Sequence, residues 1–166
     1  MSAISDTSPL NYLVRLGYSE VLQVIYGKVW VPEAVLSELS DPRSPPEVRT
    51  WIANAPRWLQ RIRIDSLDVT LPANLGAGER EAISLSQQYP SSLLIIDDRD
   101  GRLAALERNI DIAGTMAILS EAALRGLFDF QETMARLKGL GFRVSAEHES
   151  TILDRHAEKL RRRRLS

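Results

Sequence analysis

An α/β fold built on a mainly parallel sheet, with helices on both faces, follows from three features of the chain. Apolar runs alternate with amphipathic segments along its whole length. One of these runs, Leu93-Leu94-Ile95-Ile96, is continuously apolar, as expected of a central parallel strand buried on both faces. The turns between segments are marked by Pro and Gly, and strands that alternate with helices belong to parallel α/β architectures. At 166 residues, 44% hydrophobic and 26% charged, the chain suits one globular domain and not an extended disordered polymer.

The elements can be read in order. Ala3-Ile4 is the only apolar pair near the amino end and marks a first strand. Ser8-Pro9 precedes Leu10, Leu13 and Leu16, spaced for a helix with Pro in its first turn. Val21, Leu22 and Ile25 continue as a second short helix. Lys28 to Val31 is a β-type run, and Pro32 opens a helix through Leu39 that Asp41-Pro42 ends. Pro45-Pro46 starts another helix, and Leu59, Ile62 and Ile64 mark a strand. Gly76-Ala77-Gly78 turns into a helix from Glu79 to about Gln88. After Leu93 to Ile96 come a helix from Arg99 to Arg108 and a strand at Asp111 to Ala113, ending at Gly114. Helices are then expected over Thr115 to Arg125 and Phe130 to Leu137. Phe142-Arg143-Val144 reads as an edge strand, and Ala146 onward as a charged helix.

Several classes of function are excluded. Without Cys there are neither disulfides nor thiolate metal ligands. No run of about 18 apolar residues is present, so no membrane span is expected. Met1 to Asp6 lacks the basic and apolar regions of a signal peptide, and a cytoplasmic protein is expected. A net charge of −1 argues against a uniformly basic nucleic-acid binder. The charge is uneven, however, with Arg161 to Arg164 crowding the tail and carboxylates clustering inside. A phosphate-binding loop is missing, since Gly76-Ala77-Gly78 is not followed by Lys and Ser or Thr. A phospho-receiver would place its acidic pair at the first strand, whereas here the pair lies in mid-chain. His148 and His156 lie far from the acidic motifs, on the charged terminal segment, and read as surface residues.

Ligands of parallel α/β sheets bind outside the carboxyl ends of the strands. Acidic residues stand at those ends. Asp6 follows the first strand, and Asp97 and Asp98 directly follow Leu93 to Ile96. Glu79 and Glu81 open a helix, and Glu38 lies on the helix begun by Pro32. Each has an ordinary alternative, since Asp6 suits a helix cap, the Glu79/Glu81 pair suits a helix dipole and Glu38 suits a solvated face. Gathered together, the carboxylates would repel one another unless a hard cation neutralised them.

Four stretches, Ser5-Asp6-Thr7-Ser8-Pro9-Leu10, Val31 to Leu39, Gly78-Glu79-Arg80-Glu81-Ala82-Ile83 and Leu94 to Arg102, resemble the PIN-domain superfamily, and more narrowly its small prokaryotic branch of VapC-type toxin nucleases. Gly114-Thr115 and Leu140 to Val144 fit as later landmarks. The resemblance implies a three-layer α/β/α fold over residues 1–153, followed by a basic helix or tail over 154–166. It implies a Mg²⁺- or Mn²⁺-dependent endoribonuclease, the toxin of a toxin–antitoxin pair, with RNA as substrate, a cognate antitoxin as partner and a homodimer as assembly. Carried over, Asp6 is the first-strand metal ligand, Glu38 the helix carboxylate, and Asp97 or Asp98 the acid after the fourth strand. Glu79 and Glu81 share the remaining position, with Asp6, Glu38, Glu81 and Asp97 as the catalytic set. Thr7 and Ser8 would hydrogen-bond those ligands, and Asp100 is a weaker candidate. The alternative is a PIN-like RNA- or protein-binding regulatory module with weak catalysis.

Overall fold

A computed structural model of the chain describes residues 2–166; Met1, the first residue of the opening read for a leader, lies outside them. The chain divides into two compact units, Met1–Thr115 and Met116–Ser166. The first holds a five-stranded sheet and the helices between its strands. In chain order these are β1 (Ala3–Ser5), α1 (Thr7–Leu16), α2 (Val21–Tyr26), β2 (Val29–Val31), α3 (Glu33–Ser40), α4 (Pro46–Ala53), β3 (Leu59–Arg61), α5 (Ala77–Gln88), β4 (Leu93–Ile95), α6 (Arg99–Leu106) and β5 (Ile112–Ala113). Three helices follow: α7 (Thr115–Leu124), α8 (Phe130–Gly139) and α9 (Ala146–Leu165).

All strand pairs are parallel, in the order β3-β2-β1-β4-β5. From β1 the chain moves outward to β2 and β3, then returns to β4 on the other side of β1. That reversal opens a crevice at the carboxyl ends of β1 and β4, where parallel sheets bind their ligands. Ser5 stands opposite Ile95.

Period-two alternation supplies both faces of the sheet. Ile4, Leu94 and Ile96 join Ala82, Ile83 and Leu85 of α5 and Ala104 and Ala105 of α6 in one apolar cluster. Ala3, Val29, Val31 and Ile95 point to the opposite face and are equally buried. Pro46 occupies the first turn of α4, where its missing N–H leaves no bond unmade.

In the second unit α8 buries Phe130, Met134 and Leu137. The helix α9 buries only Ile152 and is continuous across residues 153 and 154. Its Ser145 cap accepts from the His148 N–H (3.1 Å). Arg163 bonds the Leu124 carbonyl. His148 is exposed, but His156 is not a simple surface residue. It is partly buried, stacks on Phe130 (centroids 4.3 Å apart) and hydrogen-bonds Ser120 Oγ (2.8 Å). Burial, reinforced by Lys159, lowers its pKa against the pull of Asp129.

Two expected elements differ. Phe142 to Val144 form no strand; the Phe142 N–H turns back to the Leu137 carbonyl (3.4 Å) and closes α8. An alternating pattern makes a strand only where a ladder partner exists. The third strand stops at Arg61, and Ile62 and Ile64 continue as irregular chain packed on the apolar cluster. Among the described residues no helix is long and apolar enough to cross a membrane.

Candidate metal centre

Asp6 is placed by the sheet itself. Its N–H donates to the Ile95 carbonyl (2.9 Å), extending the ladder between β1 and β4 by one rung. It occupies the N-cap position of α1, yet its side chain makes no capping bond to the helix. The carboxylate is 3% exposed, and Oδ1 is buried with no hydrogen-bond partner. An unpaired buried carboxylate is costly and resists ionisation. Its pKa accordingly rises from the ordinary 3.8 to about 8, mainly through burial, with added repulsion from Glu79, Glu38 and Asp97; the Thr7 N–H opposes this.

Those three carboxylates arrive from three other parts of the chain. Glu38 projects from α3, half-buried. Its Oε1 accepts from the Gly78 N–H (2.9 Å) and its Oε2 from the Thr7 hydroxyl. A Cβ on Gly78 would lie 2.4 Å from Glu38 Oε2, so any larger residue in the first turn of α5 would push the Glu38 carboxylate aside. Asp97 follows Ile96, whose N–H donates to Ala113 O. The Asp97 carboxylate accepts from both the N–H (2.8 Å) and the hydroxyl of Thr115. Gly114 leaves it room, because a Cβ there would come within 3.0 Å of Asp97 Oδ1. Glu79 is half-buried and folds back onto the Gly76 N–H (2.9 Å). Burial raises its pKa against that bond, with Asp98, Glu38 and Asp100 adding repulsion.

Two expected ligands are turned elsewhere. Glu81 Oε2 accepts from the Ala34 N–H (2.8 Å), tying α5 to the start of α3. It lines a separate groove with Glu33 and residues 61–64. Two residues along a helix rotate a side chain by roughly 200°, so Glu79 and Glu81 cannot serve one point together. Asp98 is exposed and caps α6, accepting from the Gly101 N–H (2.8 Å). Asp100 accepts from Asn74 (2.9 Å). Of the two hydroxyl residues, Thr7 bonds Glu38, whereas Ser8 is exposed on α1. Thr115 had no role assigned from sequence; its place just after the neighbouring strand β5 was the available signal.

The donor set is all oxygen, which suits a hard divalent cation, and the unpartnered Asp6 Oδ1 offers it a lone pair. The other carboxylates are committed to N–H and hydroxyl donors. Among the described residues no three acidic or imidazole side chains converge closely enough to hold a metal as they stand.

The family model of the PIN domain DUF3368 matches residues 2–158. The chain belongs to the PIN-domain family. Members of this family are generally metal-dependent nucleases. Among solved structures, a PilT N-terminus domain protein, SSO1118, from the hyperthermophilic archaeon Sulfolobus solfataricus P2 is similar in fold. It is 16% identical, the match covers 74% of this chain and 93% of that one, and the TM-score is 0.52. The PIN fold is a three-layer α/β/α arrangement. No curated protein matches the sequence.

Proposed function

We propose that this PIN domain is a cytoplasmic Mg²⁺- or Mn²⁺-dependent endoribonuclease, the toxin of a toxin–antitoxin pair, acting on RNA phosphodiesters. The observation that carries the reading is Asp6: a buried carboxylate with an unpartnered oxygen, at the crevice where the sheet reverses, facing the charge of Glu38, Glu79 and Asp97. Among the described residues no cationic side chain pairs with this carboxylate, which leaves it free for an incoming cation. Asp6, Glu38 and Asp97 would hold the metal, with Glu79 at the rim. The bound ion would supply an activated water and neutralise charge developing on the phosphodiester.

The protein's own groups prepare this centre. The Ile95 carbonyl fixes the Asp6 backbone. Thr7 and the Gly78 N–H aim Glu38, and Thr115 aims Asp97, in the way outer hydrogen bonds orient metal ligands. In the metal-free protein at neutral pH the Asp6 carboxyl keeps a proton, which metal binding must displace. Metal affinity therefore rises with pH up to about 8.

Cleavage of a mixed RNA pool with Mg²⁺ or Mn²⁺ tests the reading, comparing the parent with Asp6→Asn and Asp97→Asn. Metal-dependent cleavage confined to the parent supports it. Equal cleavage by the parent and both variants refutes the site. The toxin role is tested by growth arrest on expression, relieved by a co-expressed partner. The commitment of the Glu38 and Asp97 oxygens to internal donors favours a second reading, a weakly catalytic binding module. RNA binding without cleavage at any metal concentration would select it.

A further inference from the structure

Beside the acidic centre a groove of about 590 Å³ is lined by Glu33, Arg61, Ile62, Arg63, Ile64 and Glu81. It lies at the carboxyl end of β3, on the same end of the sheet as Asp6. Ile4 pairs with Trp30 and Trp30 with Gln60, so Arg61, the last residue of β3, is level with Ser5, one residue before Asp6. Two strand spacings, about 10 Å, separate these strands. Arg61 and Arg63 alternate along the chain and are both exposed, while Ile62 and Ile64 pack on the apolar cluster and make a firm wall.

The charges in the groove are not balanced equally. Glu81 is spent on the Ala34 N–H. Glu33 pairs with Arg61 (3.2 Å), but both side chains are about two-thirds exposed, and an exposed pair of this kind is held weakly. Arg63 has no hydrogen-bond or ion-pair partner among the described residues. An incoming anion therefore meets one unpaired guanidinium and one that can exchange a weak partner for a stronger one. Arginine presents a planar fork of donors that matches phosphate.

We infer that this groove is the track for the flanking strand of a single-stranded polynucleotide, with Arg61 and Arg63 contacting phosphates about three nucleotides from the scissile bond. That offset is the ~10 Å between β1 and β3 at the ~3.4 Å rise of a stacked strand. The inference rests on the nuclease reading of Asp6 and deepens it. An acidic protein segment could also meet arginines. A polynucleotide is favoured because the groove shares the sheet end, and the helix α5, with the centre where the phosphodiester would lie.

Fluorescence anisotropy of a labelled single-stranded RNA 12-mer tests the assignment. It is run with Mg²⁺ in the Asp6→Asn background, so that the oligonucleotide survives. Arg61→Gln plus Arg63→Gln should weaken binding roughly 10- to 100-fold. It should also lower the slope of log affinity against log salt by about 1.4, at ~0.7 per lost single-strand phosphate contact. Arg61→Lys plus Arg63→Lys should keep the slope. Lys28→Gln plus Arg57→Gln, which removes equal charge just before β2 and β3 at the opposite end of the sheet, should leave binding within about twofold. An unchanged slope in the Gln variant, with RNA still bound, overturns the track but leaves the nuclease reading standing. Weaker binding with an unchanged slope also overturns it, since the arginines would then act on the fold, as a thermal melt would register. A background protein that binds no RNA, with a parent that cleaves none, overturns both.

Discussion

Asp6 and Asp68 are both shielded carboxylates, and the chain treats them in opposite ways. In the segment before α5, Asp68 is clasped on every side. Arg108 Nε donates to it at 2.7 Å, the Thr70 N–H and hydroxyl donate to Oδ1, and Arg108 also reaches Thr70 Oγ1 (2.9 Å). The Thr70 hydroxyl and the Arg108 guanidinium hold its pKa well below the usual carboxylate range. Asp6, at the tip of β1, has an oxygen with no donor and three carboxylates pressing on it, and its pKa is pushed up to about 8. Where a carboxylate fastens a loop, the sequence supplies its cation. Where no cation is supplied, as at Asp6, the residue suits the proposed role of holding one that arrives from outside.

The comparison is broken most severely by neutralising Asp6. Asp6→Asn should lower metal-dependent RNA cleavage by about 10³-fold or more, a loss of ~4 kcal/mol at about 1.4 kcal/mol per decade. The same variant has a second readout with a definite sign. Between about pH 4 and pH 8 the folded chain holds an Asp6 proton that the unfolded chain has released. Metal-free stability therefore falls as pH rises through that window. Thermal melts in chelator should show the parent losing stability from pH 5 to pH 9, and Asp6→Asn losing less. A parallel decline in both proteins would remove Asp6 as the cause.

The opposite side of the comparison is probed by Arg108→Gln. Stranding Asp68 should cost about 2–3 kcal/mol in denaturant unfolding, with cleavage per folded molecule unchanged. Next in size comes Gly78→Ala, whose methyl group displaces the Glu38 carboxylate; cleavage should fall about 10- to 100-fold. Thr115→Val, which removes the hydroxyl donor to Asp97, should weaken Mn²⁺ binding about tenfold in calorimetric titration. Asp98→Ala should cost only ~1 kcal/mol of stability, the loss of a helix cap. A collapse of cleavage in that variant would return Asp98 to the ligand set.

Much of this was written in the sequence where local and global signals coincide. Asp97 stands directly after an apolar run and Asp6 one residue after the pair Ala3-Ile4, so the end of the strand announces the position of the acid. Pro32 and Pro45-Pro46 mark helix starts for the same reason, a fixed φ and a missing donor. What stayed hidden depends on where a side chain points once neighbours arrive. Glu79 and Glu81 look equivalent along the chain. One reaches back to Gly76 and faces Asp6, while the other is captured by the bare N–H of Ala34 on a helix far away in sequence. Asp97 and Asp98 divide likewise, the first held by Thr115 and the second turned onto its own helix. Gly78 and Thr115 matter through close approach and hydrogen bonding to residues 40 and 18 positions distant, which no local pattern records. Phe142 to Val144 carry a strand-like pattern but no ladder.

The bond from the Asp6 N–H to Ile95 O makes the site a matter of phase. Because Asp6 continues the β1 ladder, losing one residue within Ala3 to Ser5 would not simply shorten a strand. It would invert which side chains face each layer and carry the Asp6 carboxylate to the wrong side of the sheet. Drift in this segment can therefore proceed by substitution but not by single-residue insertion or deletion, so its length should be far more constrained than its letters.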